Sequence, residues 1–315
     1  MPPTVDDVDR FEVARPRLGA IAYRLLGSAA EAEDAVQETF LRWQAADAER
    51  VEVPEAWLTK VLTNLCLNQL ASARARRETY VGQWLPEPLL DGDPMLGPAD
   101  TAERRESVSY AVLALMERLS PAERAVYVLR EAFDYPHREI AAILDITESA
   151  SQQLLHRARK HVADGRRARP GVDEAAARRI VEEFLTAATG GRIEPLLRLL
   201  TEDAVAIGDG GGKVPARTRP LEGALAVAKL MRGLFRPSPA KRAVVGGPAE
   251  VHLATANGGP AVVVVAGGRV VGVLCPEVTA EGITALRSQA NPDKLVRATA
   301  VWTAADRGEP LLRAF

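Results

Sequence analysis

The chain has 315 residues, 47% of them hydrophobic and 26% charged, and a formal net charge of −2. That is enough for two or three soluble domains with real cores. It excludes a protein drawn to nucleic acid by its overall field, so any DNA contact must rest on local basic patches, which screening isolates over about 8–10 Å. The two cysteines, Cys66 and Cys275, lie far apart, so a disulfide framework or cysteine-rich zinc site is excluded. A reduced cytoplasmic protein with no metal and no cofactor is expected. The N-terminal MPPTVDDVDRF has no basic region followed by an apolar run, so no signal peptide is expected.

From about Val8 to Arg77 the pattern is helical throughout. In "AEAEDAVQETFLRW", Ala32, Ala35, Val36, Thr39, Phe40 and Trp43 form a helical stripe. The opposite face carries Glu31, Glu33, Asp34, Gln37 and Glu38. It reads either as a solvated face or as a docking face for a basic partner. "PEAWLTKVLTNLCLNQLASARARRE" follows, packing Trp57, Leu58, Val61, Leu62, Leu65, Leu67 and Leu70. It ends in Arg74, Arg76 and Arg77, which suit a helix C-terminus and equally suit phosphates. Residues 78–104 hold four prolines and three glycines and read as a linker, ordered only if something holds it.

Residues 105–169 return to a helical pattern. Ser120, Pro121 and Glu123 are placed as N-cap, first helical residue and capping-box partner. That helix is predicted to run to about Phe133. A short helix is expected over His137–Leu144, a turn at Asp145–Thr147, and a third helix, capped by Thr147, to about Ala163. Helix, three-residue turn, helix is the helix-turn-helix arrangement. Ile140, Ala141, Leu144, Ile146, Ala150, Leu154 and Ala158 are expected to lock the two helices together. The second helix of such a motif enters the major groove with its N-terminal half facing base edges. Here that half offers Glu148, Ser149, Gln152 and Gln153, and glutamine can pair with adenine. His156, Arg157, Arg159 and Lys160 follow and suit phosphates. Few phosphate contacts imply weak binding by the chain alone, at best roughly 10⁻⁴–10⁻⁶ M. A larger partner must therefore bring it to DNA.

Beyond a basic joint, residues 173–303 read as a separate α+β domain, with a tail over 304–315. "DEAAARRIVEEFLTAATGGRIEPLLRLLTEDAVAIGDGG" reads helix, short helix, strand, and "GALAVAKLMRGLF" is a further helix. "RAVVGGPAEVHLATANG", "PAVVVVAGG", "RVVGVLCPEVTA" and "GITALRSQANPDKL" are expected to supply the remaining strands. Gly267 and Gly268 close a tight hairpin inside a run too short to span a membrane.

"EAEDAVQETFLRW", "WLTKVLTNLCLNQLASARARRE" and "LSPAERAVYVLREAFDYPHREIAAILDITESASQQLLHRARK" resemble, in that order, regions 2 and 4 of an extracytoplasmic-function RNA polymerase sigma factor. The remainder is similar to the subgroup that carries a fused SnoaL-like domain, with "DGDP" at Asp91, Gly92, Asp93 and Pro94 and "NPDKL" at Asn291, Pro292, Asp293, Lys294 and Leu295. The resemblance implies a multi-domain protein. Residues 1–77 would be the all-α region 2 bundle and 105–169 the all-α region 4 helix-turn-helix, followed by an α+β cone of the SnoaL/NTF2-like type.

It also implies that core RNA polymerase, through its β′ clamp helices, and promoter DNA are the partners, with no membrane. Asp34, Gln37, Glu38 and Leu41 match the clamp-facing surface. About Ala45–Glu55 matches the loop that captures an unstacked −10 base, with Asn64 and Asn68 near that strand. Residues 120–162 match the −35 reader. Two departures stand out: Ser151 and Gln152 replace a common apolar–arginine pair, and Asp145 stands where glycine is common.

The cone is expected to regulate the sigma part in cis, with Lys294 or Arg297 holding a linker made acidic by Asp91 and Asp93. Asp203, Asp209, His252 and Asp293 are its candidate polar groups, but no spacing joins them into a catalytic set, so enzymatic activity is not expected. An unidentified small-molecule ligand in the cone is left open. The competing readings are a SnoaL-like small-molecule enzyme and a ligand-sensing DNA-binding repressor.

Overall fold

The computed structural model describes residues 5–46, 51–78, 80–97, 109–165, 171–236, 238–305 and 307–314. It divides into two units: Met1–Thr79 with Asp93–Arg167, and Tyr80–Gly92 with Ala168–Phe315.

The first unit is all helical among its described residues. Helices α1 (Val5–Leu26), α2 (Ala29–Ala45) and α3 (Pro54–Glu78) form a bundle. Ser28 caps α2, its hydroxyl accepting from Glu31 N–H. Most of the expected stripe of α2 is inside: Ala32, Ala35, Val36, Thr39 and Trp43 are buried, as are Phe11, Leu18, Ile21 and Leu25 of α1 and Leu58 and Leu62 of α3, while Phe40 is half-buried with its ring 4.7 Å from that of Phe11. Burying an aliphatic side chain of this size stabilises by about 1.5–3 kcal/mol. Linker residues 93–97 also belong here. A 3₁₀ turn at Pro94–Leu96 buries Met95, with the Asp93 carboxylate capping Met95 N–H. Arg24 donates to the Leu96 carbonyl at 2.9 Å. Gly97 follows at φ +69°, where an added Cβ would sit 2.9 Å from the Ala20 methyl.

Helices α4 (Tyr110–Met116), α5 (Pro121–Tyr127), α6 (His137–Leu144) and α7 (Glu148–Gly165) complete the unit. The capping box of α5 forms as expected, with Ser120 and Glu123 bonded reciprocally. One wide turn, Val128–Ala132, extends α5 toward Phe133. Asp145 closes α6 in the left-handed region at φ 57°, and the Thr147 hydroxyl caps α7. The lock between α6 and α7 differs in part from expectation. Ile140, Ala141 and Ala158 are buried, but Ile143 and Leu155 take the places assigned to Leu144 and Leu154, which are half-buried. Ile146 and Ala150, also expected in the lock, are half-buried. Ser151 lies inside.

The second unit is α+β. Helices α8 (Glu174–Thr189) and α9 (Ile193–Leu199) lead into strand β1 (Leu200–Asp209) and a short β2 (Leu221–Glu222). Then come α10 (Ala224–Phe235), α11 (Pro239–Val245), β3 (Ala249–Ala256), β4 (Gly259–Ala266), β5 (Arg269–Thr279), β6 (Gly282–Gln289), a 3₁₀ turn at Pro292–Lys294, α12 (Val296–Thr303) and β7 (Leu312–Ala314).

The seven strands form one sheet in the order β2-β1-β6-β5-β4-β3-β7, parallel between β1 and β6 and antiparallel elsewhere. Val251, Val262, Leu274 and Leu286 meet Val181, Phe184, Met231 and Phe235 in the core between sheet and helices. The hairpin through Gly267 and Gly268 forms as read, both at positive φ. "RAVV", expected to be extended, is helical in α11. Ser238 caps that helix and Gly246 ends it in the left-handed region, and these end signals outweigh the β-branched pair between them.

Ser120→Ala removes the hydroxyl half of the capping box. It is expected to lower stability by about 1 kcal/mol, read as a lower urea midpoint for loss of helical ellipticity, with Ser120→Asp retaining most of it.

Candidate nucleic-acid interface and linker clamp

In the first unit, α2 presents Asp34, Gln37 and Leu41 to solvent, with Glu38 half-exposed and paired to Arg42 one turn on at 2.9 Å. Leu41 is an exposed leucine beside acids. On α3, Lys60, Asn64 and Asn68 are exposed at successive helical turns, so they line one edge. The Trp43 and Trp57 rings meet at a tilt of 56°, their centres 5.4 Å apart, where α2 ends and α3 begins on either side of the intervening loop. Asp47–Arg50 of that loop, and the side chains of Arg74, Arg76 and Arg77, lie outside the described residues.

On α7, Glu148, Ser149, Gln152, Gln153, His156, Arg157, Arg159 and Lys160 are all exposed. Two of the arginines are steadied by acids from the preceding helical segment: Arg159 on Glu131 at 2.7 Å and Arg157 on Glu123 at 3.6 Å. Both are more than half exposed, so each pair adds little stability but limits where the guanidinium points. Burial alone would raise the Glu123 carboxyl, yet the Ser120 N–H and hydroxyl, with His161 and Arg157 nearby, hold it below its ordinary value. It therefore stays charged toward Arg157.

In the second unit, the segment Tyr80–Gly92 is bound along the cone, and Leu85 to Leu90 are buried. The centre of the arrangement is Asp209, the last residue of β1, 1% exposed. Its carboxylate accepts from Tyr80 Oη at 2.6 Å, Lys294 Nζ at 2.8 Å, Leu85 N–H at 3.0 Å, Gly211 N–H at 3.0 Å and Gln289 Nε2 at 3.2 Å. Lys294 also donates to the Leu85 carbonyl at 2.7 Å, and its ammonium lies 4.0 Å from the Trp84 ring centre and 5.1 Å from that of Tyr80. Gln289 donates to the carbonyls of Leu85 and Pro86.

Asn291 donates to Tyr80 Oη at 3.0 Å. Gly211, at φ +61°, leaves room for it, since a Cβ there would fall 2.4 Å from the Asn291 amide. Further along, Asn257 takes the Leu89 N–H on its side chain and gives its own N–H to the Leu89 carbonyl, and Asp91 N–H donates to Thr255 O. Burial would raise Asp209, but the Lys294 charge and the hydrogen bonds from Lys294, Tyr80 and Leu85 outweigh it, so its pKa is depressed.

These contacts redistribute the sequence-derived roles. Lys294 meets the linker at the Leu85 backbone carbonyl and pairs with Asp209 of its own domain. Asp93 caps its own turn in the helical unit, and Asp91 is exposed, bonded through its N–H. Asn291 caps the 3₁₀ turn that carries Lys294, while Asp293 pairs with Lys213 at 2.7 Å. Asp209 and His252 are buried rather than on the surface. Tyr80, Trp84, Gln289 and Asn257 were not anticipated. The signals that could have found them are the "DGGGK" run closing β1 and two aromatics inside a proline-rich linker.

Comparison with known families accounts for the helical unit. Residues 11–76 match the model of sigma-70 region 2, and residues 109–162 match that of sigma-70 region 4. ECF RNA polymerase sigma factor SigJ of Mycobacterium tuberculosis is 37% identical over 230 residues, 73% of each chain. The chain belongs to the extracytoplasmic-function RNA polymerase sigma factors. The probable sigma factor SigI of the same organism is 33% identical over 287 residues, spanning 89% of this chain and 92% of that one. The crystal structure of SigJ superposes with a TM-score of 0.70 at 33% identity, covering 91% of this chain and 97% of that chain. The two sigma regions thus direct promoter recognition and transcription initiation, and the α+β unit continues the same chain, as in the solved relative. Among the described residues no helix is long and apolar enough to cross a membrane and no metal-binding cluster occurs.

A depressed carboxylate pKa contributes stability that is complete above the group's ordinary value of 3.8 and is lost as pH falls below it through the folded value. Below that point the linker should loosen from the cone. Trp84 fluorescence followed against pH is expected to show an acid transition that Asp209→Asn removes, with the variant already loosened at pH 7.

Proposed function

We propose that the SnoaL-like domain regulates this sigma factor in cis by holding the linker segment Tyr80–Asp91 as its own ligand. The observation that carries this reading is Lys294, which donates at once to Asp209 and to the Leu85 carbonyl while lying over Trp84. A cation over an aromatic face and a desolvated charge pair are both strong and directional contacts. Asp209 is fully engaged by five donors. That state suits a structural anchor and not a general base, which needs a free lone pair toward substrate. The regulatory reading is therefore favoured over a small-molecule enzyme, and the paired sigma regions favour it over a repressor.

On the helical unit, the proposed assignments follow exposure, except those of Arg74, Arg76 and Arg77, which follow the sequence. The acidic face of Asp34, Gln37 and Glu38 beside Leu41 suits the β′ clamp helices of core polymerase. Asn64 and Asn68, with Arg74, Arg76 and Arg77, suit the −10 strand. Ser149, Gln152 and Gln153 suit −35 base edges, and His156, Arg157, Arg159 and Lys160 suit the flanking phosphates.

Two promoter elements about 25 base pairs apart, at about 3.4 Å each, lie about 85 Å from one another. A compact body of about 150 residues has a radius of gyration of only about 15 Å. The helical unit must therefore open where region 2 meets region 4. That joint holds a Thr59–Tyr135 hydroxyl contact at 3.1 Å, Lys60 donating to the Ala142 carbonyl, and Arg124 donating to the Arg24 carbonyl. Burial pulls the guanidinium pKa of Arg24 down to about 10 and that of Arg124 to about 9. Arg124 is paired there with Glu117, and the cost of taking such a pair out of water can exceed its attraction, which suits a joint that must part. Release of the twelve cone-bound residues 80–91 adds up to about 40 Å of reach to the connecting chain.

Run-off transcription with core polymerase tests the assignments. Lys294→Glu places a second carboxylate against Asp209 and is expected to raise transcription severalfold at limiting sigma factor. Unchanged or lower output contradicts the holding role. Asp34→Lys with Glu38→Lys is expected to weaken polymerase binding at least tenfold in a competition assay, leaving the thermal melt near that of the parent.

A further inference from the structure

The packing stripe of α7 runs Ser151, Leu155, Ala158 and Val162, all buried. Three of these are apolar. The fourth sits at the end of the helix that enters the groove and is a serine with 0% exposure. A buried hydroxyl must find a partner, or its desolvation goes uncompensated. Ser151 finds it across the joint: its Oγ lies 2.8 Å from Nδ1 of His137, the first residue of α6. His137 is half-buried, and Pro136 before it has φ −67° and ψ 151°, so the ring is anchored where the chain enters the first helix of the motif. Either partner can donate, so the contact survives a change of imidazole tautomer.

An apolar contact tolerates a helix turning on its axis, because hydrophobic attraction has no direction. A hydrogen bond does not, since it weakens steeply with distance and angle. Successive residues on a helix are about 100° apart. The rotation that seats Ser151 on His137 therefore also sets where Gln152, Gln153 and His156 point, and all three are exposed. We propose that the Ser151–His137 hydrogen bond is a positioning contact that sets the rotation of the recognition helix, and so decides which −35 bases Gln152 and Gln153 reach while His156 keeps its phosphate. Neither residue touches DNA in this role. The inference rests on the reading of α7 as the −35 reader.

The test uses the full chain with core polymerase, transcribing a panel of promoters with single −35 or −10 substitutions. Ser151→Ala and His137→Phe are each expected to reduce discrimination among −35 variants about two- to tenfold, the range a neutral hydrogen bond supports. Discrimination among −10 variants should be unchanged. The double variant is expected to lose no more than either single one, because both remove the same contact.

A uniform fall in rate with the −35 pattern intact, or losses that multiply in the double variant, would overturn the proposal. If Ser151→Ala proves unstable, His137→Phe at the half-buried position supplies the same readout. Gln152→Ala and Gln153→Ala test the underlying reading separately. If both leave the −35 pattern unchanged, it is the assignment of α7 that fails, whatever the pair does.

Discussion

The second unit depends on one buried carboxylate. Asp209 ends the strand that pairs in parallel with β6, and its oxygens gather donors from the glycine turn after it, from β6, from the turn that follows β6 and from the linker. A charge taken out of water costs several kcal/mol unless it is paired and hydrogen-bonded. Here Lys294 pairs it, Gly211 and Gln289 begin the hydrogen bonding, and Tyr80 and Leu85 of the linker complete it. The linker is thus more than a passenger on a finished cone: without it, Asp209 and Lys294 keep each other but lose partners they are otherwise built around. The Lys294 ammonium is further enclosed by Trp84 and Tyr80, aromatic faces contributed by the linker itself.

The chain uses its DGDP motif at the boundary between two anchorages. Asp91 is bonded to the cone through its N–H, Gly92 takes φ +88°, and Asp93 is already buried in the helical unit, capping the turn that packs Met95 against α1. Two aspartates two residues apart serve different units, and the glycine between them supplies a backbone conformation that side-chain-bearing residues adopt only with strain. The near-zero net charge has a similarly divided origin. Acids lie on α2 and bases on α7, so different helices of one helical unit suit a protein partner and a nucleic acid.

Much of this architecture could be read from residue patterns. The capping box at Ser120, the turn at Asp145, the cap at Thr147 and the hairpin at Gly267 are local signals, settled within four residues, and they formed as expected. What could not be read was side-chain direction between distant elements. Ser151 and Leu155, rather than Leu154, face inward, and a stripe count alone is ambiguous by one residue. The charge rule paired Lys294 with the acidic DGDP motif. The structure places it on Asp209, some 85 residues away in sequence, and on a backbone carbonyl, which no charge pattern reveals. Asn257 and Gln289 were equally hidden, because amides carry no charge signal and their partners are main-chain groups of the linker.

If the linker is folded into the cone, its main-chain amides must share the protection of the sheet. Amide hydrogen exchange on the full chain at neutral pH measures this directly at Leu85, Leu89 and Asp91, whose N–H groups donate to Asp209, Asn257 and Thr255. The account expects these three to exchange as slowly as the amides of β3 and β6 and to become fast together in Asp209→Asn. Exchange at the rate of an unstructured peptide in the parent chain, with β3 and β6 still protected, would contradict it.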